Sequence, residues 1–219
     1  MGEYLYDIVV LIPVRTFPFV TIEWALALRD LVIPGRFSII VNYSPMPIDV
    51  VRRNLVIEAL KLRPRYILFL DSDVVPPKDA IVKLIRHRYP VVSGVYVDKK
   101  GFWCVAIERD DGSWEYLREL PNKPFYADFV GLGCVLIESW VFEKMLELGI
   151  EWFKYTWDDV DNPSGYGEDF WFCKMVKRVI KGKILVDPEV KCRHNIVASL
   201  TEPNKATTQL TTEFKYEID

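Results

Sequence analysis

The chain has 219 residues, half of them apolar and 14% aromatic, enough to bury the core of one large α/β domain. Its 28 basic and 31 acidic residues are interspersed and give a formal charge of −3, which argues against the basic face that a nucleic-acid partner demands. No apolar run approaches the ~20 residues needed to span a bilayer, and the N-terminus lacks a secretory-signal pattern, so a soluble cytoplasmic protein is expected.

Taken in order, short apolar runs alternate with amphipathic stretches, the pattern of βαβ units around a mostly parallel sheet. Residues 7–13 (DIVVLIP) predict a first buried strand, 21–32 a helix stopped by Pro34-Gly35, and 37–42 (FSIIVN) a second strand. Asp49 is expected to cap the next helix, whose stripe runs Val51, Leu55, Ala59, Leu62. A third strand at 65–70 (RYILFL) is apolar on both faces, as a central strand should be. Pro76-Pro77 opens a further helix and 89–97 forms a fourth strand.

The rhythm then changes. Residues 102–107 and 113–120 predict a hairpin around Asp110-Asp111-Gly112, and 125–137 a strand interrupted by Gly131 and Gly133. A helix capped by Ser139 ends at Gly149, and another, closed by Gly182, carries Phe172, Val176, Val179 and Ile180. A short strand at 184–186 follows, and the stretch from Ser199 is polar and weakly patterned. The expectation is one domain over 1–219: a nucleotide-binding half (1–97), a mixed acceptor and metal half (98–198) and a C-terminal arm or tail (199–219). Cys104, Cys134, Cys173 and Cys192 are scattered without a CxxC pair, which predicts buried free thiols.

The sharpest chemical signal is Asp71-Ser72-Asp73 directly after the strand ILFL. Ligands collect at the carboxyl ends of parallel strands, and two carboxylates one residue apart can share a hard divalent cation. A solvated acidic turn before the proline-started helix explains the same residues. Of the two histidines, His87 lies in a helix pattern between arginines and is expected at the surface, whereas His194 follows a short strand. If His194 joins Asp73, two carboxylates and an imidazole suit Mn²⁺ better than Mg²⁺. Glu168 and Asp169, at the mouth of the last long helix after Gly165-Tyr166-Gly167, sit where the helix dipole favours carboxylates, and Asp169 is a candidate general base. Arg52-Arg53-Asn54 opens the second helix, and Arg15 follows strand one; both suit a phosphate or a polar ring. Among seven tryptophans, Trp157 in a polar loop is the candidate sugar platform.

Together, IPVR at the end of strand one, Arg53-Asn54, ILFLDSD, Val130-Gly131-Leu132-Gly133-Cys134, GEDFWFC and the closing Lys191-Cys192-Arg193-His194 resemble the GT-A glycosyltransferases, especially the broad inverting family 2. That resemblance implies a Rossmann-type α/β fold with a mostly parallel central sheet flanked by helices, and transfer of a sugar from a nucleotide-diphosphate donor, by default a uridine one. It implies that Asp73, His194 and Asp71 hold Mn²⁺ (or Mg²⁺). Asp71, Ser72, Arg15, Arg53 and Asn54 would hold the donor, with Asn42 where many relatives read the nucleobase with an acidic residue. Gly131 and Gly133 would lie beside the donor sugar, Trp157 and Glu168 beside the acceptor, and Asp169, with Glu168 next to it, would supply the base for inversion.

Two other readings fit part of the pattern. A haloacid-dehalogenase-like phosphatase would use Asp71 as nucleophile and Asp73 as acid/base, but its motif usually lies on the first strand. A GT-A-like domain that binds a nucleotide sugar or glycan without turnover is the third. The acceptor (glycan, lipid, protein or small molecule) is not specified by the sequence, and a homodimer is compatible with it.

Overall fold

The structure is a computed structural model, which describes residues 4–14, 20–156, 167–196, 198–202, 205–208 and 216–217. Its elements run β1 (Tyr6–Val14), α1 (Ile22–Asp30), β2 (Phe37–Tyr43), α2 (Ile48–Lys61), β3 (Pro64–Leu70), β4 (Val74–Val75), α3 (Ala80–Arg86) and β5 (Val91–Val95). There follow β6 (Val105–Glu108), β7 (Trp114–Tyr116), β8 (Phe125–Ala127), β9 (Phe129–Val130), β10 (Cys134–Glu138), α4 (Trp140–Glu147), α5 (Glu168–Ile180), β11 (Ile184–Lys191) and β12 (Arg193–His194). Three short strands, β13 (Ala198–Glu202), β14 (Lys205–Thr208) and β15 (Tyr216–Glu217), close the chain as a separate sheet.

The central sheet has seven strands in the order β2-β1-β3-β10-β5-β11-β8. β1 pairs parallel with β2 and β3, β5 parallel with β11, while β10 is antiparallel to both its neighbours and β8 to β11. Five strands therefore point one way and two, β10 and β8, the other: an α/β fold with a mostly parallel, mixed sheet, consistent with a GT-A-like architecture.

Alternation along the strands builds two cores. Val9 and Leu11 of β1 face a layer made by α2, α4 and α5, where Leu55, Phe142 and Phe172 are fully buried. Ile8, Val10 and Ile12 face the opposite layer, with Trp24 of α1 and Ile81 and Leu84 of α3. Helices on both faces explain why the inner strands read as unbroken apolar runs. No helix among the described residues is long and apolar enough to cross a membrane.

Several expectations need correction. The 125–137 segment is three strands: β8 at the sheet edge, β9 paired with β6 in a small sheet, and β10 inside the main sheet. Helix α2 begins at Ile48, which puts Asp49 within the first turn; it does not cap the helix, and its Oδ1 is buried without a hydrogen-bond partner among the described residues. Ser139 does not cap α4 with its side chain, because its Oγ donates instead to the Pro64 carbonyl at 2.6 Å. α5 ends on Lys181 in the left-handed region (φ 51°), one residue before Gly182. The strand expected at 184–186 extends to Lys191 through an irregular register. His87 is not a plain surface residue: its Nε2 lies 2.7 Å from Oδ2 of the fully buried Asp187. All four cysteines are free, as expected.

Candidate active site

Three strands that run the same way, the neighbours β1 and β3 and, beyond antiparallel β10, β5, end at the same edge of the sheet. Pro13 lies near the end of β1, Asp71 directly follows β3 and Tyr96 directly follows β5. Loops leaving these carboxyl ends open a crevice of about 310 Å³, lined among others by Pro13, Arg52, Asp71, Ser72, Asp73, Tyr96, Glu168 and Asp169.

Backbone bonds lock the Asp71-Ser72-Asp73 turn. Asp71 N donates to the Gly133 carbonyl at 3.0 Å, Val74 N closes the turn onto the Asp71 carbonyl at 3.0 Å, and the buried Trp24 indole donates to that same carbonyl at 3.0 Å. The insertion of β10 beside β3 is what brings Gly133 to this position.

The Asp71 side chain faces inward. Both of its oxygens accept from the Arg52 guanidinium at 3.0 Å, and Arg52 Nε also donates to Glu168 Oε1 at 3.2 Å. Arg52 is buried, over the Phe69 ring at 5.2 Å. Burial opposes its charge, but the two carboxylates outweigh that and hold it firmly ionised. For Asp71, burial raises the pKa and Arg52 offsets only part of it. The planar guanidinium meets Asp71 with a two-pronged fork while its Nε reaches Glu168, a geometry that a single ammonium nitrogen does not reproduce.

Asp73 turns outward, its side chain 45% exposed, beside His194, whose side chain is only 11% exposed. The pairing of β12 with β4 places them: His194 stands opposite Val74, and Asn195 N donates to the Asp73 carbonyl at 2.7 Å. His194 Nδ1 lies 2.7 Å from the Val97 carbonyl. That carbonyl can only accept, so Nδ1 carries a proton and Nε2 points at Asp73 Oδ2, 3.3 Å away. The pair is mutually stabilised as ions: burial opposes both charges, yet the contact lowers the Asp73 pKa and raises that of His194. Anchored through Nδ1–H, the same imidazole would offer its Nε2 lone pair to a metal ion once the Nε2 proton is displaced.

Asp169 occupies the first turn of α5, half-buried against the crevice, with Oδ1 accepting from Phe170 N at 2.9 Å. Burial, together with the neighbouring Glu168 carboxylate, pushes its pKa up to about 7. Tyr96 fills the floor. Its hydroxyl accepts from Gly133 N at 3.1 Å, and its ring meets His194 edge-on with centroids 5.5 Å apart.

The structure thus brings Asp71, Ser72, Asp73, His194, Glu168, Asp169, Gly131 and Gly133 to one place. Gly131 and Gly133 have a packing reason to be glycine, because a Cβ on either would collide with Tyr96. Glu168 is a buried partner of Arg52, and Asp71 is held by Arg52 rather than turned to the Asp73 side. Arg53 and Asn54 are not brought in; they lie on the exposed face of α2, and Arg53 lines a separate groove with Lys154 and Tyr155. Asn42 is at the end of β2, half-buried and paired in register with Pro13. Arg15 and Trp157 lie outside the described residues. Sequence reasoning gave no role to Tyr96 or Trp24, and it offered Arg52, with Arg53 and Asn54, to a phosphate or polar ring, whereas Arg52 is buried between Asp71 and Glu168. The signal for its inward position was present, since positions 52, 55, 56 and 59 share one helical face and Leu55, Val56 and Ala59 are all apolar.

Among the described residues no group of three or more His, Cys, Asp or Glu side chains is placed to hold a metal ion. Asp73 and His194 offer one oxygen and one nitrogen donor.

No protein-family model matches the chain, and no curated protein matches it. Among solved structures, A197 from STIV is similar with a TM-score of 0.58 and 18% identity, over 92% of this chain and 90% of that one. A structure of GalNAc-T7 with UDP, GalNAc and Mn²⁺ aligns with a TM-score of 0.49 and 15% identity, over 88% of this chain and 44% of that one. At these identities the likeness concerns the fold alone.

Proposed function

We propose that the chain is a divalent-metal-dependent glycosyltransferase, moving a sugar from a nucleotide-diphosphate donor to an acceptor hydroxyl. The observation that carries this reading is the convergence, at the carboxyl ends of β1, β3 and β5, of outward-facing Asp73 beside His194 and of desolvated Asp169 across one crevice. The donor set fits Mn²⁺ or Mg²⁺ in part. Asp73 and His194 would hold the ion, with Asp71 anchoring the turn through Arg52, and the remaining positions are left to diphosphate oxygens and water. When bound, such an ion supplies the positive charge that a departing diphosphate requires.

The chain's own residues do the rest. Asp169 takes the proton from the acceptor hydroxyl as it attacks the anomeric carbon with inversion; a carboxylate with a pKa near 7 is a better proton acceptor than an ordinary one. Arg52 hydrogen-bonds Asp71 and Glu168 together, so the turn bearing Asp73 is preorganised. Residues 1–97 would bind the nucleotide, with uridine the default base, and 98–198 the acceptor. The phosphatase reading is disfavoured because both oxygens of its nucleophile, Asp71, are already engaged by Arg52.

Release of UDP from a panel of UDP-sugars, with and without Mn²⁺, tests the proposal. Asp169→Asn should lower turnover roughly 10²- to 10⁴-fold, the usual worth of a general base. Turnover unchanged in that variant would remove Asp169 from the role.

A further inference from the structure

Among the described residues β2 stands at an edge of the sheet and pairs with β1 alone. Phe37, Ile39, Val41 and Tyr43 stand in register with Ile8, Val10, Ile12 and Val14, and so share their face of the sheet. The β1 residues are buried there under α1, yet the four on β2 are 47%, 38%, 57% and 58% exposed. On the opposite face Ser38, Ile40 and Asn42 are half-buried. From Phe37 to Ile48 the chain carries no charged side chain. Exposed edges are ordinarily blunted by lysine, proline, a bulge or shortness. The other edge of this sheet, β8, is three residues long; β2 has seven and none of these devices.

The sequence of β2, Phe-Ser-Ile-Ile-Val-Asn-Tyr, is a palindrome in chemical type about Ile40. We propose that β2 is a self-association seam, pairing antiparallel with β2 of a second copy across a two-fold axis at Ile40. That register sets Phe37 opposite Tyr43, Ser38 opposite Asn42 and Ile39 opposite Val41: aromatic on aromatic, polar on polar, branched on branched. Antiparallel pairing keeps the exposed row of each copy on one face, so the two rows merge into a single apolar strip. Absence of charge removes the repulsion that a two-fold axis would otherwise impose on like residues. The row exposes apolar area on the order of 400 Å² per copy, the size of the patches that mark binding sites on monomers. A second copy is the occupant because a strand symmetric about its own centre finds every matching partner in itself. The interface is small, so the association should be reversible and concentration-dependent.

Sedimentation velocity over a concentration series tests this with two variants, Ile39→Lys and Val41→Glu. Wild type should shift from monomer to dimer as concentration rises. Each variant alone should stay monomeric with an unchanged far-UV spectrum and melting temperature, because both positions are exposed in the monomer. Mixed together they should dimerise again, since the introduced lysine of one copy then faces the introduced glutamate of the other only in the register centred on Ile40. A wild type that remains monomeric, a variant that still dimerises, or a mixture that does not re-associate overturns the proposal.

Discussion

At the scale of single residues, the site separates acids by what surrounds them. Asp73 and Asp169 line the same crevice, yet the His194 contact holds the first below the ordinary carboxylate range and burial lifts the second to about 7. Two consequences follow for Asp169. Activity should climb as pH rises through about 7, where the base becomes ionised, and Asp169→Asn should flatten that limb of the pH–rate profile. Stability should move the other way. A carboxyl whose folded pKa lies above its unfolded value binds its proton more tightly when folded, so its contribution is complete below about 4 and is lost as pH rises towards 7. Thermal melts should therefore show Asp169→Asn matching wild type near pH 4 and exceeding it at pH 8; equal melting temperatures at both would show that Asp169 is not desolvated. Arg52 and Arg53 make a second comparison. Arg52→Met strands buried Glu168 and half-buried Asp71 and should cost about 3–5 kcal/mol in chemical denaturation. Arg53→Ala, on the exposed face of the same helix, should stay within about 0.5 kcal/mol.

At the scale of elements, β10 and β12 assemble the site, and both were poorly legible in the sequence. The apolar run at 125–137 is visible, but no local pattern says that Cys134–Glu138 inserts antiparallel between β3 and β5. That pairing is long-range, and Gly131 and Gly133 mark it only in retrospect, as the place where the chain passes Tyr96 without room for a Cβ. Gly131→Ala should cost about 1–3 kcal/mol by overpacking, and Tyr96→Phe should recover part of that loss, because the phenolic oxygen is the nearest atom in the way. Denaturation of the two single variants and the double variant measures the coupling; strict additivity would contradict this geometry. Helices with a clear stripe were legible, as was the strand that presents Asp71 and Asp73. His87 was misjudged, because its flanking arginines resemble a surface helix while its partner, Asp187, lies 100 residues away. His87→Ala should cost about 1–3 kcal/mol by leaving Asp187 short of a partner, read by the same denaturation assay.

Over the whole molecule, a sheet with helices on both faces delivers three strand ends to one edge, and the candidate chemistry collects there. Sequence order alone pointed to the α/β class and to the Asp71, Asp73, Asp169 and His194 constellation, since motifs at strand and helix ends announce themselves locally. It did not show that Asp71 is consumed by Arg52, because that pairing depends on α2 packing over β3. The central claim is that Asp73 and His194 together hold a divalent ion that in turn holds a nucleoside diphosphate. Calorimetric titration of UDP, with and without Mn²⁺, into wild type, Asp73→Asn and His194→Ala tests it most directly. Binding to wild type that requires Mn²⁺ and is lost in both variants is the predicted result. UDP binding that is indifferent to Mn²⁺, or that survives both substitutions, would contradict the account.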